Sequence, residues 1–373
     1  MRRVYIEDLE PGMIIARSVM GADGRPLLTQ NTPLTASYIL RLRGYGIGSV
    51  FVKDGFSDIE IPEVVSAQVL NAVSVQLKQS MESFASRRNL DIGAMKKSVA
   101  LLIENILANR QVLIQIDDIR SFNDYLLLHS INVAIFSIMT GLSLGYGESS
   151  LMDLGLGCLL HDIGLISIDP ALLNRPDELS ASERQQLNQH PEIGFNILRH
   201  YREISTTAAH IAYQHHERVD GLGYPRQLTK RQIVEYARIA AVADTFDEII
   251  CDRPHRRGYT IPEGLTVLRR LTRSHFDGDV VEAFALNIAI YPVGSLLKLN
   301  NGLIAVVTSV NRWNQYRPVV QVIADTRGVL LESNYPLDLA KVREAQIVRR
   351  LSESEAQEIK DNIAAKNDRV AVG

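Results

Sequence analysis

The polar and apolar positions divide the chain into stretches of different period. In residues 63–110, Val65, Val69, Val73 and Leu77 recur at four-residue steps. Val99, Leu102, Ile103 and Ile106 resume the stripe after a break near Gly93. That spacing predicts amphipathic helices. Long helical patterns fill residues 111–290, where proline and glycine cluster only at 170–176, 221–225 and 253–258. On either side the period shortens. Residues 4–6 and 13–16 predict short strands, a turn falls at 21–24, Thr35 is placed to cap a short helix reaching Arg43, and 49–53 predict a last strand. Towards the other end, 294–300, 303–310, 318–324 and 329–332 are short apolar runs. Asn300-Asn301-Gly302 between the first two is a hairpin signal.

These patterns predict a mainly α fold in five segments: an α+β module at 1–61, a helical connector at 62–110, a helical domain at 111–290, a small β appendage at 291–345 and a charged, helical tail at 346–373. The connector's stripe suits packing on its own chain or a homodimer contact.

Composition narrows the function classes. Of 373 residues 46% are hydrophobic and 22% charged, which is ordinary for a globular protein. A net charge of −3 argues against a nucleic-acid polymer as partner. Two cysteines, Cys158 and Cys251, suit a reducing compartment and read as buried small apolar residues. The most apolar stretches, 126–144 and 151–168, are interrupted by His129 and Asn132, and by Asp153, His161 and Asp162. Polar groups at those depths are costly in lipid, so core helices are expected rather than membrane spans. The opening MRRVYIEDLEPGM has no apolar run behind its arginines, so no signal peptide is expected and the expected location is the cytoplasm.

The chemistry lies in histidines and aspartates: His129, the doublet His161-Asp162, His190, the doublet His215-His216, and Asp244, separated by gaps of 32, 28, 25 and 28 residues. Each gap holds about one or two helices at roughly 1.5 Å per residue, so the chain can return to one end of a bundle each time. Imidazole with carboxylate suits Fe, Mn, Zn or Ni better than Ca or Mg. Seven such groups exceed the needs of one ion and fit two ions bridged by a carboxylate. A doublet after the apolar run 156–160 costs several kcal/mol to bury unless it is paired or binds metal.

His161-Asp162-Ile163-Gly164, with His129 upstream and Asp244 downstream, resembles the HD phosphohydrolase superfamily. The segment 215–225, HHERVDGLGYP, is similar to the signature loop of the HD-GYP family, with Gly223-Tyr224-Pro225 as its namesake triplet. Residues 129–134, 237–247 and Arg253-Pro254 resemble further blocks of that family in order, so the likeness covers about 111–290. It implies a five-helix core with extra helices, and hydrolysis of cyclic di-GMP to pGpG and in some members to GMP. It also implies a bimetal site, of Fe or Mn. His129, His161 and Asp244 would hold one ion, His190, His215 and His216 the other, and Asp162 would bridge them as a catalytic residue. Two close ions lower the pKa of a shared water and neutralise phosphate oxygens, which suits expulsion of a 3′ oxygen. Asp247, one helical turn after Asp244, is expected to orient a ligand or the nucleophile.

Arg253 and Arg256 match positions that contact phosphate or guanine in family members. Gly223, Tyr224 and Pro225 would shape the pocket mouth, braced by Arg218 and Asp220. The same loop has been linked to docking of diguanylate cyclase (GGDEF) domains.

Two positions depart from the family pattern. Leu165 stands where HDIGK members have a lysine that meets a substrate phosphate. One lost charge-assisted contact costs roughly 1.5–3 kcal/mol, which predicts a tuned-down enzyme, a preference for another cyclic dinucleotide, or a module that binds without cleaving. Tyr125 stands where three-metal members carry glutamate, so two metals are expected rather than three.

Overall fold

The structure is a computed structural model. It describes residues 2–6, 9–21, 26–45, 47, 49–53, 62–114, 125–173, 179–251, 258–352, 355 and 358–359. The chain forms two compact units.

The described residues of the first unit come from Met1–Glu63, Gln111–Asp124 and Ala289–Gly373. At its N-terminal end, β1 (Arg2–Tyr5) pairs antiparallel with β4 (Ser49–Val52), and β2 (Val19–Met20) with β3 (Pro26–Leu28). Helix α1 (Ala36–Gly44) starts at Thr35, whose side chain accepts from the Tyr38 amide. Leu34, Ile39, Leu42, Val50 and Val52 share one apolar core. The strand expected at 13–16 is reduced to two isolated bridges, Ile14 to Pro33 and Ile15 to Val52. Pro33 has no N–H with which to extend a ladder.

At the other end of the unit is a five-stranded antiparallel sheet. Its strands are β5 (Leu296–Leu299), β6 (Ile304–Ser309), β7 (Val319–Ala324), β8 (Leu330–Asp338) and β9 (Ile347–Arg350), in the order β8-β7-β6-β5-β9. Gly302, at φ +83°, turns the β5–β6 hairpin. The helical tail is corrected at one point: 347–350 form the edge strand on β5, with Leu297 opposite Arg350. Tertiary pairing overrides the local preference of this charged segment.

The second unit, Val64–Arg110 with Tyr125–Ile288, is helical. It contains α2 (Ala67–Arg87), α3 (Ile92–Ala108), α4 (Tyr125–Ser143), α5 (Glu148–Leu159), a 3-10 turn (Ile163–Ser167), α6 (Pro170–Leu173), α7 (Ala181–Leu187), α8 (His190–Leu198), α9 (Thr206–Gln214), α10 (Glu235–Ile250), α11 (Ile261–Arg270) and α12 (Gly278–Ala285). The connector is part of this unit. Asp91 caps α3, and Val73 and Leu77 of α2 and Met95, Val99, Leu102 and Ile106 of α3 are buried to 0% exposure. Helices α2 and α3 pack on each other and on α4, and α3 also packs on α5. Among the described residues, the two stretches apolar and long enough to cross a membrane, Leu126–Ser143 and Glu148–Ser167, are 67% and 61% buried within the protein. Helices α4, α5, α9 and α10 pack in succession, which brings the end of α5, the end of α9 and the middle of α10 to one place.

Candidate metal centre

Each helix carries its polar group into the site at a position the local sequence fixes. Helix α4 presents His129. Helix α5 ends at Leu159, and His161-Asp162 follow its C-cap. His190 is the first residue of α8, with Pro191 behind it, where a missing N–H costs nothing. His215 is the C-cap of α9, so His216 leaves the helix next to it. Helix α10 presents Asp244 and Asp247 one turn apart.

The structure brings all seven expected ligands together. The two oxygens of Asp162 face different histidines. Oδ2 lies 3.9 Å from His129 Nε2 and 3.4 Å from His161 Nε2, and Oδ1 lies 3.4 Å from His190 Nε2 and 3.6 Å from His215 Nε2. Asp244 divides likewise: Oδ1 is 3.0 Å from His129 Nε2 and 4.0 Å from His161 Nε2, and Oδ2 is 4.0 Å from His216 Nδ1. His190 Nε2 is 3.3 Å from His215 Nε2 and 3.2 Å from His216 Nε2. The ligand atoms of His190, His215 and His216 lie within 4.8 Å of one another, and so do those of His129, His161 and Asp162.

The backs of the rings fix which nitrogen is bare. Nδ1 of His161 donates to the Cys158 carbonyl at 2.7 Å and Nδ1 of His190 to that of Leu187 at 2.7 Å. Nδ1 of His215 donates to those of Ala212 at 3.0 Å and Ile211 at 3.1 Å. A carbonyl only accepts, so in each neutral ring Nδ1 carries the proton and Nε2 points a lone pair inwards. Nε2 of His161 is buried with no hydrogen-bond partner among the described residues. Lone pairs converging at little more than 3 Å, beside two carboxylates, repel one another unless cations lie between them. This donor set therefore fits divalent metal ions.

The electrostatics keep both carboxylates ionised and divide the histidines. Burial would raise Asp162, but His161, His215 and His190 hold its pKa well below the usual carboxylate range. Burial likewise opposes Asp244, yet His129 keeps it ionised. Burial lowers His190 to about 4, lowers His161, and with His215 pushes His216 well down. Burial also opposes the charged forms of His129 and His215, but hydrogen bonds to Asp244 and Asp247 raise the pKa of the first well above the ordinary value and Asp162 raises that of the second.

Asp247 lies behind His129. It is fully buried, its Oδ2 accepts from His129 Nδ1 at 2.7 Å, and its Oδ1 accepts from Asn132 Nδ2 at 2.9 Å. It touches the back of an expected ligand, where the orienting role expected of it would be exerted.

The Gly-Tyr-Pro loop closes beside His216. Tyr224 stacks on that imidazole at 4.7 Å and 25°, and its amide donates to the His216 carbonyl at 3.2 Å. Burial, with Asp244 and Asp162 nearby, raises its pKa, so its hydroxyl stays neutral. A Cβ on Gly223 would stand 2.3 Å from the Arg218 nitrogen, so only glycine lets the loop pass there. Gly164 does the same for the 3-10 turn, where a Cβ would meet the His190 carbonyl oxygen at 2.0 Å. Arg218 pairs with Asp220, which also accepts from the Leu222 amide at 3.0 Å, so these two brace the loop.

The stronger brace is Glu217, which the sequence reading passed over. It is 3% exposed and accepts from the amides of Arg226 at 2.7 Å and Leu228 at 2.9 Å. A carboxylate wedged between the doublet and a glycine-rich loop is the signal that could have found it. Arg253 and Arg256 lie outside the described residues, as does the side chain of Tyr125. Leu165 lies partly exposed in the 3-10 turn.

Residues 102–280 match a family model described as an HD domain, and residues 296–359 one described as a KOW domain associated with HD domain. The helical unit is therefore that of an HD-domain protein, a class of divalent-metal hydrolases. The chain is 30% identical over 254 residues to a cyclic di-GMP phosphodiesterase of Pseudomonas aeruginosa, covering 68% of this chain and 61% of that one. It is 38% identical over 142 residues to a cyclic di-GMP phosphodiesterase of Thermotoga maritima, covering 38% of this chain and 39% of the relative. It is 30% identical over 162 residues to a 3′3′-cGAMP-specific phosphodiesterase of Vibrio cholerae, covering 43% and 35%. With this likeness and its Gly-Tyr-Pro loop, the chain belongs to the HD-GYP family. It spans 61% of the length of the Pseudomonas relative and a smaller share of the other two.

Proposed function

We propose that the protein is a metal-dependent phosphodiesterase that hydrolyses cyclic di-GMP to pGpG, and onward to GMP, at a bimetal centre. The observation that carries this reading is the division of Asp162, with one oxygen towards His129 and His161 and the other towards His190 and His215. His129, His161 and Asp244 would hold one ion, His190, His215 and His216 the second, and Asp162 both. Fe or Mn suits this set of nitrogen and oxygen donors. Two such ions supply a water of lowered pKa and a counter-charge for the phosphate oxygens.

The chain does the remaining work. Asp247, held by Asn132, keeps the His129 ring in register. The carbonyls of Cys158, Leu187 and Ile211 fix the tautomers of the other rings. Tyr224, neutral and stacked on His216, offers a hydroxyl donor at the mouth of the site. Arg253 and Arg256 are the proposed contacts to phosphate or guanine, and the exposed loop around Leu222 is the proposed surface for a GGDEF partner.

The test is turnover of cyclic di-GMP by protein purified without oxygen and loaded with Fe(II) or Mn(II), beside Asp162→Ala. Linear product from the wild type and none from the variant is the expected result. Metal-replete wild type that binds the dinucleotide without cleaving it would replace this reading with the binding module that Leu165 suggests.

A further inference from the structure

A cyclic dinucleotide carries two phosphates, and a bimetal centre neutralises one of them. The second gains from a cation of its own, which Leu165 does not supply, and the proposed contacts Arg253 and Arg256 lie outside the described residues. One guanidinium beside the described site stands in the right chemical state. Arg226 follows Pro225 directly. Its backbone is clamped by the buried Glu217 at 2.7 Å, so its position is fixed by the same carboxylate that sets the Gly-Tyr-Pro loop. Its exposed guanidinium lies over the ring of Tyr213, 5.5 Å from the centroid. Tyr213 in turn stacks on Phe195 of α8 at 4.7 Å and 13°.

Tyr213 lies in the last turn of α9 and His216 just past its C-cap, while Tyr224, two residues before Arg226, stacks on His216. The pairs Arg226–Tyr213 and Tyr224–His216 thus join the same loop to the C-terminal end of α9, the second of them at the metal ligands. No carboxylate lies within salt-bridge distance of Arg226 among the described residues, although the nearby Arg218, Lys230 and Arg238 are each paired with one. A guanidinium resting on an aromatic face loses little freedom when it binds, and its N–H edges stay free for phosphate oxygens.

We infer that Arg226, backed by Tyr213 and Phe195, is a substrate-binding residue that takes the second phosphate of the cyclic dinucleotide by charge-assisted hydrogen bonds. This rests on the proposed phosphodiesterase reading. It adds a subsite on the Gly-Tyr-Pro side of the metal centre and supplies a phosphate contact that Leu165 does not.

The test compares wild type, R226A and R226K, each loaded with Mn(II) and matched for metal content and melting temperature. Two substrates are used: cyclic di-GMP, and bis(4-nitrophenyl) phosphate, which has one phosphate only. In R226A the ratio of kcat/KM for cyclic di-GMP to that for the single-phosphate diester should fall about ten- to a hundredfold, through KM. R226K should fall less, because it keeps the charge and loses the planar fork. Cyclic di-AMP should follow cyclic di-GMP, since the phosphates are common to both. A ratio unchanged in R226A, with wild type turning over cyclic di-GMP, overturns the subsite. A fall confined to guanine-containing dinucleotides overturns the phosphate assignment in favour of base recognition. Wild type that cleaves only the single-phosphate diester fails the underlying reading, and does so before any variant is compared.

Discussion

The two halves of the metal centre are supported in different ways. On one side His129 is backed by a side chain, Asp247, itself held by Asn132. On the other, His190 and His215 are backed by the peptide carbonyls of Leu187, Ile211 and Ala212, and His216 by the face of Tyr224. Asp244 and Asp247 together push His129 above the ordinary histidine pKa and Asp162 raises His215, while burial takes His190 down to about 4. A carbonyl fixes the tautomer without adding charge. His129 is therefore the ligand whose support a side-chain substitution can loosen, while His161 beside it is held by the Cys158 carbonyl. His190 and His215 are held by the backbone, so no single side-chain change removes their support.

The largest effect should come from the group both halves share. Asp162→Ala removes oxygens facing four histidines and leaves converging lone pairs. Both ions should be lost by metal analysis, and cyclic di-GMP turnover should fall by more than the ~10²–10³-fold typical of one lost electrostatic donor. Retention of either ion at wild-type affinity would break the comparison by showing that one half stands alone.

Asp247→Ala sharpens it. Affinity for one ion of the two should fall about ten- to a hundredfold, with the other ion unaffected in a chelator titration. Asp247→Asn, which keeps an acceptor for His129 Nδ1, should lose less. Equal loosening of both ions would contradict the assignment of Asp247 to one half.

The difference between the halves also explains what was legible in the sequence. The ligands themselves were, because only histidine and aspartate supply those atoms and their spacing matches returns to one end of a bundle. Asp247 was legible as a partner, one turn from Asp244, although not as a group behind a ring. The carbonyls of Cys158, Leu187 and Ile211 were not legible, because every residue carries one and only the fold says where it points. The same holds elsewhere. Asn300-Asn301-Gly302 announces a hairpin through its own turn chemistry, whereas 347–350 become a strand only because β5 offers a free edge. Glu217 lay in plain view beside the histidine doublet, but its partners are backbone amides nine and eleven residues on.

Glu217→Gln probes the loop without touching either half directly. A glutamine accepts one of the two amide bonds and turns an N–H₂ against the other, at a cost of about 1–3 kcal/mol. KM for the dinucleotide should rise and the melting temperature should fall, with metal content unchanged. A variant that loses metal instead would make Glu217 a support of His215 and His216.

The smallest effect is expected at Asp277, which caps α12 and pairs with Lys230 at 2.7 Å and with Arg238. Burial would raise its carboxyl, but Lys230 and Arg238 hold it below the usual range. A carboxyl lowered in the folded state stabilises above its unfolded pKa, and this is lost as pH falls through the folded value. Asp277→Asn keeps the cap and removes the charge. It should cost about 1–2 kcal/mol at pH 7, and the gap from wild type should close as the pH is taken below about 4. A gap independent of pH would assign the loss to packing.

The central claim is that Asp162 divides its two oxygens between two ions. The most direct measurement is the metal count per chain in protein purified without oxygen, for wild type and Asp162→Ala together. Two ions per wild-type chain, with both lost in the variant, is the predicted result. One ion per wild-type chain, three, or two retained in Asp162→Ala would contradict the claim.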